Sequence, residues 1–164
     1  MLNVGELNSM SCEEFTGACG GVFEHSPWVA TRSCDQRPFT SRERLHSAMC
    51  ATVQNATPDE QLTLIRAHPD LVGRAILTSE SQAEQASAGL ENLTAEEAAL
   101  FRRYNLEYQH RFGFPFVICA RLNKKEAILR AFPERLQNSR EKEIETALEE
   151  IYKIAELRLR DLVQ

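Results

Sequence analysis

Three groups of residues have the types and spacings that could do chemistry. The first is His68, which follows Leu62, Leu64 and Ile65 and is locked against Pro69. A residue before proline is pushed out of the α region, so the backbone itself aims this imidazole away from the helix it ends. Imidazole changes charge near neutral pH, and a helix C-terminus with a carboxylate nearby favours the protonated, proton-delivering form. A histidine that only caps the last carbonyls would leave the same trace, and both readings stay open. The second group is Ser81-Gln82-Ala83-Glu84-Gln85, followed by Ala86, Ser87, Ala88 and Gly89. Ser81 stands three residues from Glu84 and four from Gln85, which places all three on one helical face. The small residues opposite permit a close backbone approach, so the three could line a pocket wall. Gln82 reads as solvated, and Glu84 fits either role. The third is Arg158, which interrupts the apolar stripe Ile144, Leu148, Ile151, Ala155, Leu162. A guanidinium cannot shed its charge, so it must reach water, a carboxylate or carbonyl acceptors. A structural ion pair and a grip on a substrate both satisfy that demand.

The elements that must position these residues read as helices throughout. Ser11 with Glu14 forms a capping-box pattern that opens a helix running toward Phe23. Thr57, Pro58 and Glu60 repeat it with proline at the first helical position, and that helix should stop at His68. Thr94 with Glu97 opens a third, carrying Phe101, Tyr104, Tyr108 and Phe112 as core until Gly113 and Pro115 end it. Phe116-Val117-Ile118-Cys119-Ala120 is a buried run whose periodicity does not decide between strand and helix. Lys124 to about Leu136 is helical in pattern, with a break expected near Pro133. Arg140 to Val163, free of Gly and Pro, is the most secure helix. The fold class is therefore all-α, one compact helical domain over residues 1–164 with a long C-terminal helix.

Composition narrows the class further. The 164 residues carry 19 Lys plus Arg against 24 Asp plus Glu, a net charge of −5, with no basic run. Nucleic acid and anionic lipid both reward clustered positive charge, so neither is expected as a partner. Met1 to Met10 resembles no secretory leader, no apolar run approaches a membrane span, and Leu162-Val163-Gln164 is no peroxisomal address. The five cysteines, an odd number without a CxxC, fit reduced thiols in a cytoplasmic setting.

Rival chemistries lack their marks. His25, His46, His68 and His110 include no HExxH and no pair four apart, so no metal site is expected. Cys119 lies inside an apolar run, which raises a thiol's pKa and makes it core rather than nucleophile. There is no GxGxxG, GxxxxGK[ST] or GxSxG.

Taken together, His68-Pro69-Asp70-Leu71-Val72-Gly73-Arg74, Ser81 to Gln85 with Ala88-Gly89-Leu90, and Arg111-Phe112-Gly113-Phe114-Pro115-Phe116-Val117 resemble the 2-oxo-4-hydroxy-4-carboxy-5-ureidoimidazoline (OHCU) decarboxylases. Ser26-Pro27-Trp28-Val29-Ala30, Arg37-Pro38-Phe39 and Leu157-Arg158 extend the resemblance over nearly the whole chain. The stretch between Arg74 and Ser81 is shorter than in many members, and Cys34 stands where many carry an aromatic residue. The resemblance implies an all-helical homodimer in purine breakdown, linked to urate oxidase and hydroxyisourate hydrolase, that releases CO2 to leave (S)-allantoin without metal or organic cofactor. By position it implies His68 as catalytic acid/base, oriented by Glu84. It implies substrate contact by Pro69, by Ser81, Gln82, Ala83, Glu84 and Gln85, by Phe116, Val117, Ile118, Cys119 and Ala120, and by Arg158. On that reading Arg158 holds the retained part of the substrate, because a clamp on the departing carboxylate would stabilise the ground state. Two alternatives remain: decarboxylation of a related ureido acid, and a non-catalytic helical module docking a partner through the Trp28 region.

Overall fold

The computed structural model describes residues 1–164. In chain order the helices are α1 (Val4–Ser9), α2 (Cys12–Cys19), α3 (Trp28–Ser33), α4 (Arg42–Gln54), α5 (Pro58–Arg66), α6 (Ser79–Ser87), α7 (Ala95–Phe112), α8 (Lys125–Leu136) and α9 (Arg140–Leu162), with 3-10 turns over Cys34–Gln36 and Ala120–Leu122. Reciprocal caps set the starts of α2, α5 and α7. Ser11, Thr57 and Thr94 each accept a bond from the amide three residues on, while the carboxylates of Glu14, Glu60 and Glu97 each accept one from the cap's own amide. The all-α expectation is met, and no helix is long and apolar enough to cross a membrane.

The backbone forms two compact units, Met1–Ala67 with Tyr152–Gln164, and His68–Ile151. In the first, α3 packs on α2 and α4 around Leu7, Phe15, Leu45, Met49 and Leu64, all fully buried. The end of α9 adds Ala155 and Leu159 to that unit's buried residues, and Val163 just after it is buried too. In the second, buried aromatics dominate: Phe116 stacks on Phe132 at 3.8 Å, and Tyr108 meets Phe116 edge-on at 5.3 Å. Phe101, Tyr108 and Phe112 are core as expected, while Tyr104 is half-buried and stacks on Phe132 at 5.1 Å. Gly113 ends α7 at φ +78°, a left-handed cap that glycine takes without a Cβ penalty.

Three expectations are corrected. α2 stops at Cys19 instead of continuing toward Phe23, because Gly20 and Gly21 follow and glycine costs about 1 kcal/mol per helical position. α8 runs through Pro133 to Leu136 without breaking there. Burial of Phe132, Arg135 and Leu136 on either side of the proline holds its last turn helical. The cysteines are not all reduced thiols: Cys12 and Cys34 are joined by a disulfide, their Cα atoms 5.7 Å apart, and Cys19, Cys50 and Cys119 are free and buried. A pairing across 22 residues leaves no local mark in a sequence with an odd cysteine count.

Candidate active site

α5 ends at Arg66 with Ala67 as its cap, and the chain turns at His68-Pro69, as the proline requires. His68 is 8% exposed. The loop that follows is held from two helices. Gln85 of α6 accepts the Val72 amide on Oε1 at 3.2 Å and reaches the Asp70 carbonyl with Nε2 at 3.5 Å. Asn105 of α7 donates Nδ2 to the Leu71 carbonyl at 2.7 Å, and its buried Oδ1 has no hydrogen-bond partner. Val72 needs such restraint: its φ of +57° is the left-handed region, where a β-branched side chain costs about 1–3 kcal/mol. Burial pushes the Asp70 carboxyl above its ordinary value. The strained residue thus lies four positions after the buried histidine, in a loop held by Gln85 and Asn105.

Thr78 caps α6 by accepting the Ser81 amide at 3.2 Å. Ser81 and Gln85 are buried and Glu84 is half-buried on the same face, while Gln82 and Ala83 are exposed. α6 packs against the 3-10 turn Ala120–Leu122, and its end is tied to the start of α8 by the Lys125 amide on the Ala88 carbonyl at 3.0 Å. Ala120, the last residue of the Phe116 to Ala120 run, thereby belongs to the turn that neighbours α6. Phe116 to Cys119 lies in neither helix nor strand and Ala120 opens the 3-10 turn, with all five residues buried, so the run is neither of the two elements that periodicity left open. Its backbone is pinned by Arg135 Nη1 on the Val117 carbonyl at 2.6 Å and Asn123 Nδ2 on the Cys119 carbonyl at 2.9 Å. Burial, then the Glu150 and Glu84 carboxylates, push the Cys119 thiol up, so it is inert core as the sequence predicts.

Behind that segment lies a charged network that sequence reasoning missed. The fully buried Glu143 carboxylate is paired with Arg135 Nε, and accepts the Tyr108 hydroxyl at 2.5 Å and Asn138 Nδ2 at 3.0 Å. The Arg135 guanidinium lies 4.2 Å from the Phe116 ring centre. The pair joins α8 to α9, and no sequence signal distinguishes Glu143 from the other carboxylates around it on α9.

Arg158 lies in the first unit, 7% exposed. Its Nη2 is 2.8 Å from Glu24 Oε2 and its Nη1 donates to the Gly21 carbonyl at 3.2 Å, the carboxylate and carbonyl acceptors that a buried guanidinium demands. Glu24 itself is 2% exposed, and His25 beside it sits at φ +45° with Nε2 3.7 Å from the Glu24 carboxylate. The only hint of Glu24 in the sequence is an acid following Val22-Phe23. Cys12, Cys34 and Asp35, also in the first unit, form the metal-ligand-type cluster of the chain, with two of its three ligand atoms already bonded to each other.

The OHCU decarboxylase family model matches residues 8–160. A 2-oxo-4-hydroxy-4-carboxy-5-ureidoimidazoline decarboxylase of Haloferax volcanii is 44% identical over 158 residues, covering 96% of this chain and 94% of the relative. A uric acid degradation bifunctional protein of Bacillus sp. is 44% identical over 162 residues, covering 99% of this chain and 32% of that protein. The crystal structure of an (S)-allantoin synthase superposes on 100% of this chain and 54% of its own, with a TM-score of 0.84 and 30% identity.

Proposed function

The chain belongs to the OHCU decarboxylase family, and we propose on that premise that it is a carboxy-lyase converting 2-oxo-4-hydroxy-4-carboxy-5-ureidoimidazoline to (S)-allantoin and CO2 in urate breakdown. The observation that carries the reading is the preorganised turn at His68: a buried imidazole whose following loop is strained at Val72 and clamped from α6 and α7.

The chemistry asks for little more than positioning and a proton. When the carbon–carboxylate bond breaks, its electron pair passes into the adjacent ring imine, so the substrate is its own electron sink. The enol that results is protonated at the carbon bearing the ureido group, and the hydroxyl loses its proton while the ring nitrogen that received the electron pair takes one up, which gives the allantoin carbonyl and ring N–H. His68 delivers that proton to one face, which sets the S configuration, and Glu84 orients the imidazole. Pro69, Ser81 to Gln85 and Phe116 to Ala120 form the substrate-contacting surface. Exposed Gln82 and Ala83 contribute backbone at most, and the amide of Gln85 already restrains the His68 loop. Arg158, fixed by Glu24, holds ureido and ring oxygens that persist in the product.

The family resemblance also implies a homodimer, and the bifunctional Bacillus relative supports a link to neighbouring steps of urate degradation. Light scattering should give twice the 18.6 kDa chain mass. The activity is tested by generating the unstable substrate from urate with urate oxidase and hydroxyisourate hydrolase and adding this protein. Accelerated CO2 release with loss of the substrate absorbance is expected. A rate equal to the protein-free control would overturn the assignment and leave the docking-module alternative.

A further inference from the structure

Cys12 is the first residue of α2 and is exposed, whereas Cys34, at the start of the 3-10 turn, is 1% exposed. A third side chain is built into their disulfide. Arg37 Nη2 lies 2.8 Å from Cys34 Sγ and 3.5 Å from Cys12 Sγ. The rest of its guanidinium is fixed by bonds that do not involve sulfur: Nε to the Cys34 carbonyl at 2.8 Å, and Nη1 to the carbonyls of Leu7, at 3.2 Å, and Met10. Phe15 backs it at 5.4 Å. A permanent cation is therefore held against both sulfurs by bonds that do not themselves depend on either sulfur.

In thiol–disulfide exchange the thiolate is both nucleophile and leaving group, and the sulfur that leaves most easily is the one whose anion is best stabilised. Arg37 favours a thiolate on Cys34. It acts with the first turn of α2 on Cys12. The charges opposing them are Glu13 and Glu14 on α2 and Asp35 beside Cys34, and Glu14 is already engaged with the Ser11 amide at 2.8 Å. The two sulfurs and the Asp35 carboxylate lie within 4.8 Å of one another, a donor set that a cation could use. The Arg37 charge already occupies the cationic role at Cys34 and would repel a metal ion there.

We propose that Cys12–Cys34 is a thiol–disulfide exchange site for low-molecular-weight thiols, with Cys12 as the sulfur attacked and Cys34 as the leaving group received by Arg37. An incoming thiolate forms a bond to Cys12 Sγ, the Cys12–Cys34 bond breaks, and its electron pair goes to Cys34 Sγ. A second thiolate attacks the small-molecule sulfur of the mixed disulfide and releases Cys12 as thiolate. The sum is two small thiols oxidised to their disulfide and one protein disulfide reduced; the reverse runs with the small disulfide as oxidant. Exposure decides the direction of attack, because only Cys12 is open to an external thiol. The loop the bond closes contains Gly21 and Glu24, the two acceptors of Arg158, so its redox state bears on the segment that holds that guanidinium.

The test uses the full chain in graded reduced/oxidised glutathione, acid-quenched and mapped by mass spectrometry. The expected result is reversible opening under native conditions with the glutathione adduct on Cys12, retained in Cys34→Ser. In Cys34→Ser, alkylation of Cys12 should show an apparent pKa below the roughly 8.5 of a free cysteine. Arg37→Gln should slow exchange several-fold and Arg37→Lys should restore most of the rate, a pattern that mere loss of packing would not produce. A bond that stays closed in the native protein in buffers that reduce the unfolded chain would overturn the proposal. So would an adduct on Cys34, a Cys12 pKa at or above the free value, or uptake of zinc by the reduced pair in place of exchange.

Discussion

Removing the charge of Glu143 while keeping its shape, as Glu143→Gln does, leaves Arg135 buried against a neutral amide. Its carboxylate is fully buried and accepts from Arg135, Tyr108 and Asn138 at once. Breaking one side of a buried pair costs about 3–5 kcal/mol, because the remaining ion has lost its compensation. For a chain of this length each kcal/mol moves Tm by about 2–4 °C, so the variant should melt some 6–20 °C lower. Tyr108→Phe removes one hydrogen bond to the same carboxylate and should cost less, about 1.5–3 kcal/mol. The double replacement Arg135→Met with Glu143→Leu removes both charges together and should be more stable than Glu143→Gln alone. It should nonetheless lose activity, because Arg135 Nη1 no longer holds the Val117 carbonyl of the proposed substrate-contacting segment. Urea and thermal unfolding of the variants, with kcat/KM measured well below each midpoint, separate the two effects. A Glu143→Gln protein within 1 kcal/mol of wild type, or a double variant whose loss equals the sum of the single losses, would refute the reasoning.

Other consequences of the same geometry are measurable. Burial, with the Glu143 bond acting in the same direction, pushes the Tyr108 phenol well above its ordinary range. The folded state then holds a proton that the unfolded state releases above about pH 10, so stability should fall as pH rises past that point, and Tyr108→Phe should flatten the decline. Burial raises the thiols of Cys19 to about 11 and Cys50 to about 12, so neither should react with iodoacetamide at pH 8 until denaturant is added; stoichiometric labelling of the native protein would contradict this. Asn105→Leu leaves the Leu71 carbonyl without its donor, and should cost about 1–3 kcal/mol and lower kcat more than it raises KM, because the His68 loop loses one of its two clamps.

What could be read from the sequence was what is local. The caps at Ser11, Thr57 and Thr94 are decided within four residues, as is the glycine that ends α7, and each stands where the sequence places it, while the helix before Pro69 ends at Arg66, two residues short of the expected His68. Arg158 was legible as an anomaly because a periodic stripe makes an out-of-place charge visible, yet its partner Glu24 lies 134 positions earlier on no such stripe. Glu143 was invisible for the converse reason. It sits among other carboxylates on α9, and only packing reveals that it faces Tyr108 and Arg135 rather than water. Pro133 misled because a local rule was overridden by the burial of Phe132, Arg135 and Leu136 around it. The strain at Val72 and the Cys12–Cys34 pairing both depend on tertiary restraint, which no spacing encodes.

The central claim is that His68 delivers the stereochemistry-setting proton. Circular dichroism of the reaction, with substrate generated in situ from urate, tests it most directly, using wild type and His68→Asn side by side. Rapid growth of the (S)-allantoin signal with wild type, and only the slow racemic background with a folded His68→Asn protein that still binds a substrate analogue, is the predicted result. An optically active product formed by His68→Asn at close to the wild-type rate would contradict the account.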